Sequence, residues 1–174
     1  MWFQGEFGLK NREIEILQGE ENIGKKLVQI LNVAHQLNPK IFSEEKMGIE
    51  ITTRLNFNRN WGLGTSSTLI NNIADWFEID AYKLLKNTFG GSGYDLAAAQ
   101  NSQPVTYQIT ENGPSALKAN FYPEFAENIF FVYLNEKKNS RDAIEHYKAL
   151  PEENKTGLTE KISSLTEQFI NCSF

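Results

Sequence analysis

Apolar residues recur along this chain at two different periods, and the change from one to the other marks out its elements. Residues 1–9 alternate weakly. In residues 13–17, Glu13 and Glu15 alternate with Ile14 and Ile16, which predicts two strands joined as a hairpin. From Glu21 the period becomes helical. Leu27, Ile30, Leu31 and Ala34 form one stripe, and Asn38-Pro39 ends the helix. His35 sits beside the stripe and is expected to be a packed or exposed helix residue rather than a ligand. Residues 48–55, with Ile49, Ile51, Thr52 and Thr53, predict a strand, and residues 56–61 a polar loop. Leu69, Ile70, Ile73, Ala74, Trp76 and Phe77 then predict a second helix. A third spans residues 80–88, with Asp80 as its N-cap and Tyr82, Leu84 and Leu85 inward.

Beyond residue 100 the pattern predicts a strand at 104–109 and a turn at Glu111-Asn112-Gly113-Pro114. The continuous apolar run at 129–134 predicts a buried strand. Helices are expected at 140–150, ended by Pro151, and at 155–170, where Leu158, Ile162, Leu165 and Phe169 share a face. Strands and helices interleave without strict alternation, so the class is α+β. Tyr122-Pro123-Glu124 is the expected domain boundary, dividing residues 1–123 from 124–174.

Charge narrows the function. With 22 acidic against 17 basic residues the net charge is −5, against the basic footprint of a nucleic-acid binder. The basic runs are pairs only, and Lys25-Lys26 is expected to be solvated surface. Cys172 is the single cysteine, so neither an internal disulfide nor a cysteine-rich metal site is expected. No apolar run approaches a membrane span, and residues 1–6 lack the regions of a signal peptide, so a cytoplasmic protein without membrane association is expected.

Two glycine-rich stretches carry the candidate chemistry. In Trp61-Gly62-Leu63-Gly64-Thr65-Ser66-Ser67, two glycines allow close backbone approach, and a run of hydroxyls opens a helix. Such a turn is a natural anion site, because free N–H groups and the helix dipole both favour negative charge. A plain loop-to-helix cap accounts for it equally well. The second stretch is Gly90-Gly91-Ser92-Gly93-Tyr94-Asp95-Leu96-Ala97-Ala98-Ala99-Gln100. Here one carboxylate opens an Ala-rich helix at 96–100, and Asp95 alone reads as its N-cap. Other nucleotide and nucleophile signatures are absent. The first stretch lacks the third glycine of a dinucleotide fingerprint, no Gly-x-x-x-x-Gly-Lys-Ser/Thr loop occurs, and Ser92 is not in a nucleophile elbow.

Taken together, the two stretches resemble the GHMP kinase superfamily, which includes galactokinase, homoserine kinase, mevalonate kinase and phosphomevalonate kinase. Gly62-Leu63-Gly64-Thr65-Ser66-Ser67 looks like that family's phosphate-binding Gly-Leu-Gly-Ser-Ser-Ala loop. Gly91-Ser92-Gly93-Tyr94-Asp95-Leu96-Ala97-Ala98-Ala99 looks like the Gly-Ser-Gly-Phe-Asp-Val-Ala-Ala-Ala segment of the phosphomevalonate branch. The resemblance covers residues 48–148. It implies a partial GHMP kinase fold: a ribosomal protein S5 domain 2-like N-terminal, ATP-binding part, and from residue 124 the start of the C-terminal α+β domain. It implies ATP and Mg²⁺ as cofactors and a small alcohol or phosphate monoester, such as mevalonate or phosphomevalonate, as acceptor. Under it, Gly62 to Ser67 cradle the ATP phosphates, Ser66 reaches the metal, and Asp95 is the catalytic carboxylate.

Trp61 flanks the base in this reading or packs its loop. Ser92 and Gly93 are weaker candidates for contact with the acceptor. Ser140 and Arg141 either meet an anionic substrate or serve as N-cap and solvated charge. The mevalonate kinase branch also carries a metal-binding Glu upstream of its Asp. Tyr82-Lys83-Leu84-Leu85-Lys86 has none, as in the phosphomevalonate branch. The family's N-terminal strand with a basic residue and its C-terminal glycine-rich motif have no counterpart here. The resemblance therefore implies an internal fragment or a truncated product, weakly active alone. Such a chain is expected to associate into a homo-oligomer through an unpaired edge at residues 2–9 and through the last helix stripe. The alternative is a non-catalytic domain with a vestigial anion site that acts through association.

Overall fold

The computed structural model describes residues 3–42, 48–136 and 140–171, and within these the side chains of Ser140 and Arg141 are left undescribed. Met1, Trp2, Lys137, Lys138 and Cys172 also lie outside the described residues.

Strand β1 (Phe3–Lys10) buries Phe3, Gly5, Phe7 and Leu9 and turns Gln4, Glu6 and Lys10 to solvent. That alternation is the period of a strand with one covered face. A two-residue turn joins it to β2 (Glu13–Gln18), with Lys10 opposite Glu13 and both Asn11 and Arg12 at positive φ. This is the geometry that matches the twist of a tight hairpin. Strand β3 (Gly48–Thr53) pairs antiparallel with the other side of β1, so the sheet order is β2-β1-β3. Residues 3–9 are thus central rather than the free edge that the resemblance implies. The edges are β2 and β3, because the return strand comes from beyond helix α1.

Helix α1 (Glu21–Leu37) lays Leu27, Ile30, Leu31 and Ala34 on the buried face of the sheet. Asn32 fastens it to β2: its Oδ1 accepts the Ile14 N–H at 2.7 Å, and its Nδ2 donates to the Ile14 carbonyl at 2.9 Å. Helix α2 (Thr65–Trp76) adds Ile70, Ile73 and Ala74 to the same core. Helix α3 (Ala81–Thr88) adds Ala81 and Leu84, and α4 (Tyr94–Ala99) adds Leu96 and Ala97. Asp80 caps α3 by accepting the N–H groups of Tyr82 and Lys83. His35 is packed, 7% exposed, edge-on to Phe42, which also meets Trp76 and Phe77. Asn38 Nδ2 donates to the Phe77 carbonyl at 2.8 Å and ties the C-termini of α1 and α2 together. Helices therefore cover one face of a small antiparallel sheet, an α+β arrangement.

The second half differs more from expectation. Strands β4 (Val105–Thr110) and β5 (Gly113–Lys118) form a separate hairpin. Only Glu111 and Asn112 make its turn. Gly113 and Pro114, expected in the turn, begin a strand, because Thr110 pairs directly with Gly113. The run at 129–134 is not a buried strand. It is irregular, with Phe130, Phe131, Val132 and Leu134 each at least 78% exposed. Its apolar character is that of a covered strand, but no sheet among the described residues takes it in. Helices α5 (Ser140–Ala149) and α6 (Glu152–Asn171) follow. Leu158, Ile162, Leu165 and Phe169 of α6 are all exposed, although Phe169 still meets the rings of Phe121 and Phe125.

Candidate functional site

The first glycine stretch leaves β3 through a short 3-10 turn (Arg59–Trp61) whose N-cap, Asn58, accepts the Asn60 N–H at 2.9 Å. Gly62 and Gly64 both follow in the left-handed region, at φ 75° and 72°. A Cβ at Gly62 would meet nothing within 4 Å, so conformation rather than crowding calls for glycine there. Gly64 is the N-cap of α2. Its carbonyl takes the Thr68 N–H at 3.1 Å and the Ser67 and Thr68 hydroxyls at 3.4 and 3.1 Å. Among the described residues, the amide N–H groups of residues 62–67 have no hydrogen-bond acceptor. These are the orphan donors of a helix start, presented by a turn that stands clear of the surrounding chain.

Beside this turn lies a cavity of about 340 Å³ between α1 and α2. Its walls are Ile23, Leu27, Ile30, Leu69 and Phe89. Its rim is Glu20, Asn22, Lys26, Arg59, Thr65 and Ser66. The lining combines apolar side chains with two hydroxyls, an amide, two cations and the Glu20 carboxylate, which suits a small ligand with an apolar body and a polar group. Ser66 is exposed at this rim, whereas the buried Ser67 hydroxyl is occupied by Gly64. Trp61, Gly62, Leu63 and Gly64 stand outside the lining, with Trp61 and Leu63 about half exposed. Among the described residues no group of three or more His, Cys, Asp or Glu side chains gathers as a metal site. Ser66 and Glu20, both in the cavity lining, carry oxygens of the type that Mg²⁺ takes.

The second glycine stretch begins at the cavity wall, directly after Phe89. Gly93, at φ 88°, is the N-cap of α4, and a Cβ there would stand 2.9 Å from the Tyr82 ring. Asp95 is therefore not the cap. It sits exposed in the first turn of α4, beside Tyr94, whose hydroxyl is pushed above its ordinary value by the Asp95 charge, then by burial and a hydrogen bond to that carboxylate. Asp95, Ser92 and Gly93 do not line the cavity. The Tyr107 hydroxyl donates to the Ser92 carbonyl and holds the stretch against β4. The side chains of Ser140 and Arg141 lie outside the described residues.

Sequence reasoning passed over Arg59 and Phe89, and it expected Lys26, with Lys25, to be solvated surface. Lys25 is solvated and paired with Glu21, as expected of a surface lysine. Lys26 is half-buried at the cavity rim. The signal was present: Ile23, Lys26, Leu27 and Ile30 share one helical face.

Comparison with protein-family models, with curated proteins and with solved structures finds no match. Among the described residues no helix is long and apolar enough to cross a membrane.

Proposed function

We propose that this chain carries the nucleotide site of an ATP-dependent small-molecule kinase of the GHMP type, on a partial GHMP fold, working in the cytoplasm. The observation that carries the reading is the left-handed pair Gly62 and Gly64, which turns the unpaired amides of residues 62–67 outward beside a cavity whose lining includes apolar side chains and the cations Lys26 and Arg59. Phosphoryl transfer is mainly positioning and charge neutralisation, and fixed backbone donors supply both without reorganising.

In this reading the nucleotide base enters between Ile23, Leu27 and Phe89, and the phosphates meet the amides and hydroxyls of Thr65 and Ser66. Mg²⁺ supplies neutralisation of the phosphate charge. Asp95 accepts the proton of the acceptor hydroxyl as its oxygen bonds to the γ-phosphorus and the bond to the ADP oxygen breaks. One observation favours a second reading, a non-catalytic anion site: Asp95 is absent from the cavity lining.

Incubation with MgATP and a panel of small alcohols, polyols and phosphate monoesters, followed by phosphorus NMR, separates the two readings. The kinase reading expects acceptor-dependent ADP formation, and expects Asp95→Asn to lower kcat by about 100-fold or more with ATP affinity retained. ATP binding without transfer to any acceptor would leave the anion-site reading in its place, whereas equal turnover in Asp95→Asn would remove the catalytic role of Asp95.

A further inference from the structure

Lys26 lines the cavity with its charge compensated by no ion pair among the described residues. Its Nζ donates to Gln29 Oε1 at 2.7 Å and lies 4.7 Å from the centroid of the Phe89 ring. Both partners are neutral. Among the described residues Lys26 makes no ion pair, while its neighbour Lys25 is bridged to Glu21. Glu20 lines the same cavity without bridging to it.

A half-buried ammonium held by an amide oxygen and a ring face gains when an anionic oxygen replaces them. The cavity that Lys26 faces also receives the hydroxyls of Thr65 and Ser66. We propose that Lys26 is the residue that reads the phosphate charge of the nucleotide. It moves from Gln29 and Phe89 onto the phosphate chain, and so sets the preference for nucleotide over nucleoside. The inference rests on the nucleotide reading above and adds to it a side-chain cation on α1.

The test is equilibrium binding of MgATP, inorganic pyrophosphate and adenosine to the wild-type chain and to Lys26→Gln, Lys26→Arg and Lys25→Gln, at low and high salt. Lys26→Gln should weaken MgATP and pyrophosphate by about tenfold or more and flatten their salt dependence. Adenosine should be unaffected, Lys26→Arg should largely restore binding, and Lys25→Gln should match the wild type. Undiminished MgATP binding by Lys26→Gln overturns the role of Lys26 while leaving the nucleotide reading intact. An equal loss of adenosine overturns it too, by showing that Lys26 acts through packing on Phe89. Pyrophosphate binding that depends on Lys26, with no gain from the adenosine moiety, supports the role of Lys26 and removes the nucleotide reading. Binding of none of the three by the wild type overturns both.

Discussion

A Cβ at Gly64 has room, since only Ser67 Oγ at 3.8 Å lies near it, yet its φ of 72° is unfavourable to any L side chain. Gly64→Ala is therefore expected to cost about 1–2 kcal/mol of strain, and denaturant unfolding would measure it. If the turn instead relaxes to negative φ, the unfolding cost will be small but the amides of residues 62–67 will point elsewhere and anion binding will be lost. A second prediction concerns pH. Burial raises the Tyr82 hydroxyl above its ordinary value of 10.0, with Tyr107 and Asp80 adding to the effect, and burial also raises Tyr107. A raised folded-state value means that the neutral phenol is favoured by folding. That contribution is complete below pH of about 10 and is lost as pH rises through the folded value. Unfolding midpoints followed from neutral to strongly alkaline pH should fall above that point, and a Tyr82→Phe, Tyr107→Phe double variant should show a shallower fall. An unchanged alkaline limb would remove the claim. At this scale the sequence was informative about backbone and less so about side chains. Gly62, Gly64 and the Asp80 cap follow from local conformation alone. The helical face that Lys26 shares with Ile23, Leu27 and Ile30 is legible, but that this part of the face lines a cavity depends on how α1 packs against α2, and that is a tertiary fact.

Among the elements, α1 is the keystone: Ile30 and Leu31 are fully buried against the sheet and against α2 and α3. Ile30→Ala is expected to cost about 2–5 kcal/mol, seen as a lower urea midpoint. Strands β1 and β2 and helices α1 to α3 were legible because each satisfies its own period and carries its own stop signal. Strand β5 was not, because Gly113-Pro114 imitates a turn. In the structure Pro114 sits in a two-stranded hairpin, where a missing donor is tolerated. The run at 129–134 failed for the opposite reason, since its composition is that of a covered strand while its cover is not among the described elements. Six consecutive apolar residues without charge or proline, exposed in this way, form a segment prone to strand association. The chain is expected to self-associate as concentration rises, by sedimentation velocity, and Phe131→Glu should reduce that association while leaving the unfolding midpoint of the core within about 0.5 kcal/mol. A monomer at all concentrations would contradict this.

Over the whole molecule, the α+β class was legible from the interleaving of periods, and among the described residues the buried apolar core lies where the strongest patterns are, between Phe3 and Ala97. The net charge of −5 gave no hint of the cavity lining, where Lys26 and Arg59 stand with a single carboxylate, Glu20. If the Gly62–Gly64 turn and the α1–α2 cavity form one nucleotide site, a single ligand should protect both. Hydrogen exchange of the backbone amides with and without saturating MgATP tests this most directly. New protection is expected at the amides of residues 62–67 and in the first turns of α1, with little change in the β4–β5 hairpin or α6. Unchanged exchange at residues 62–67 under conditions where MgATP is bound would contradict it.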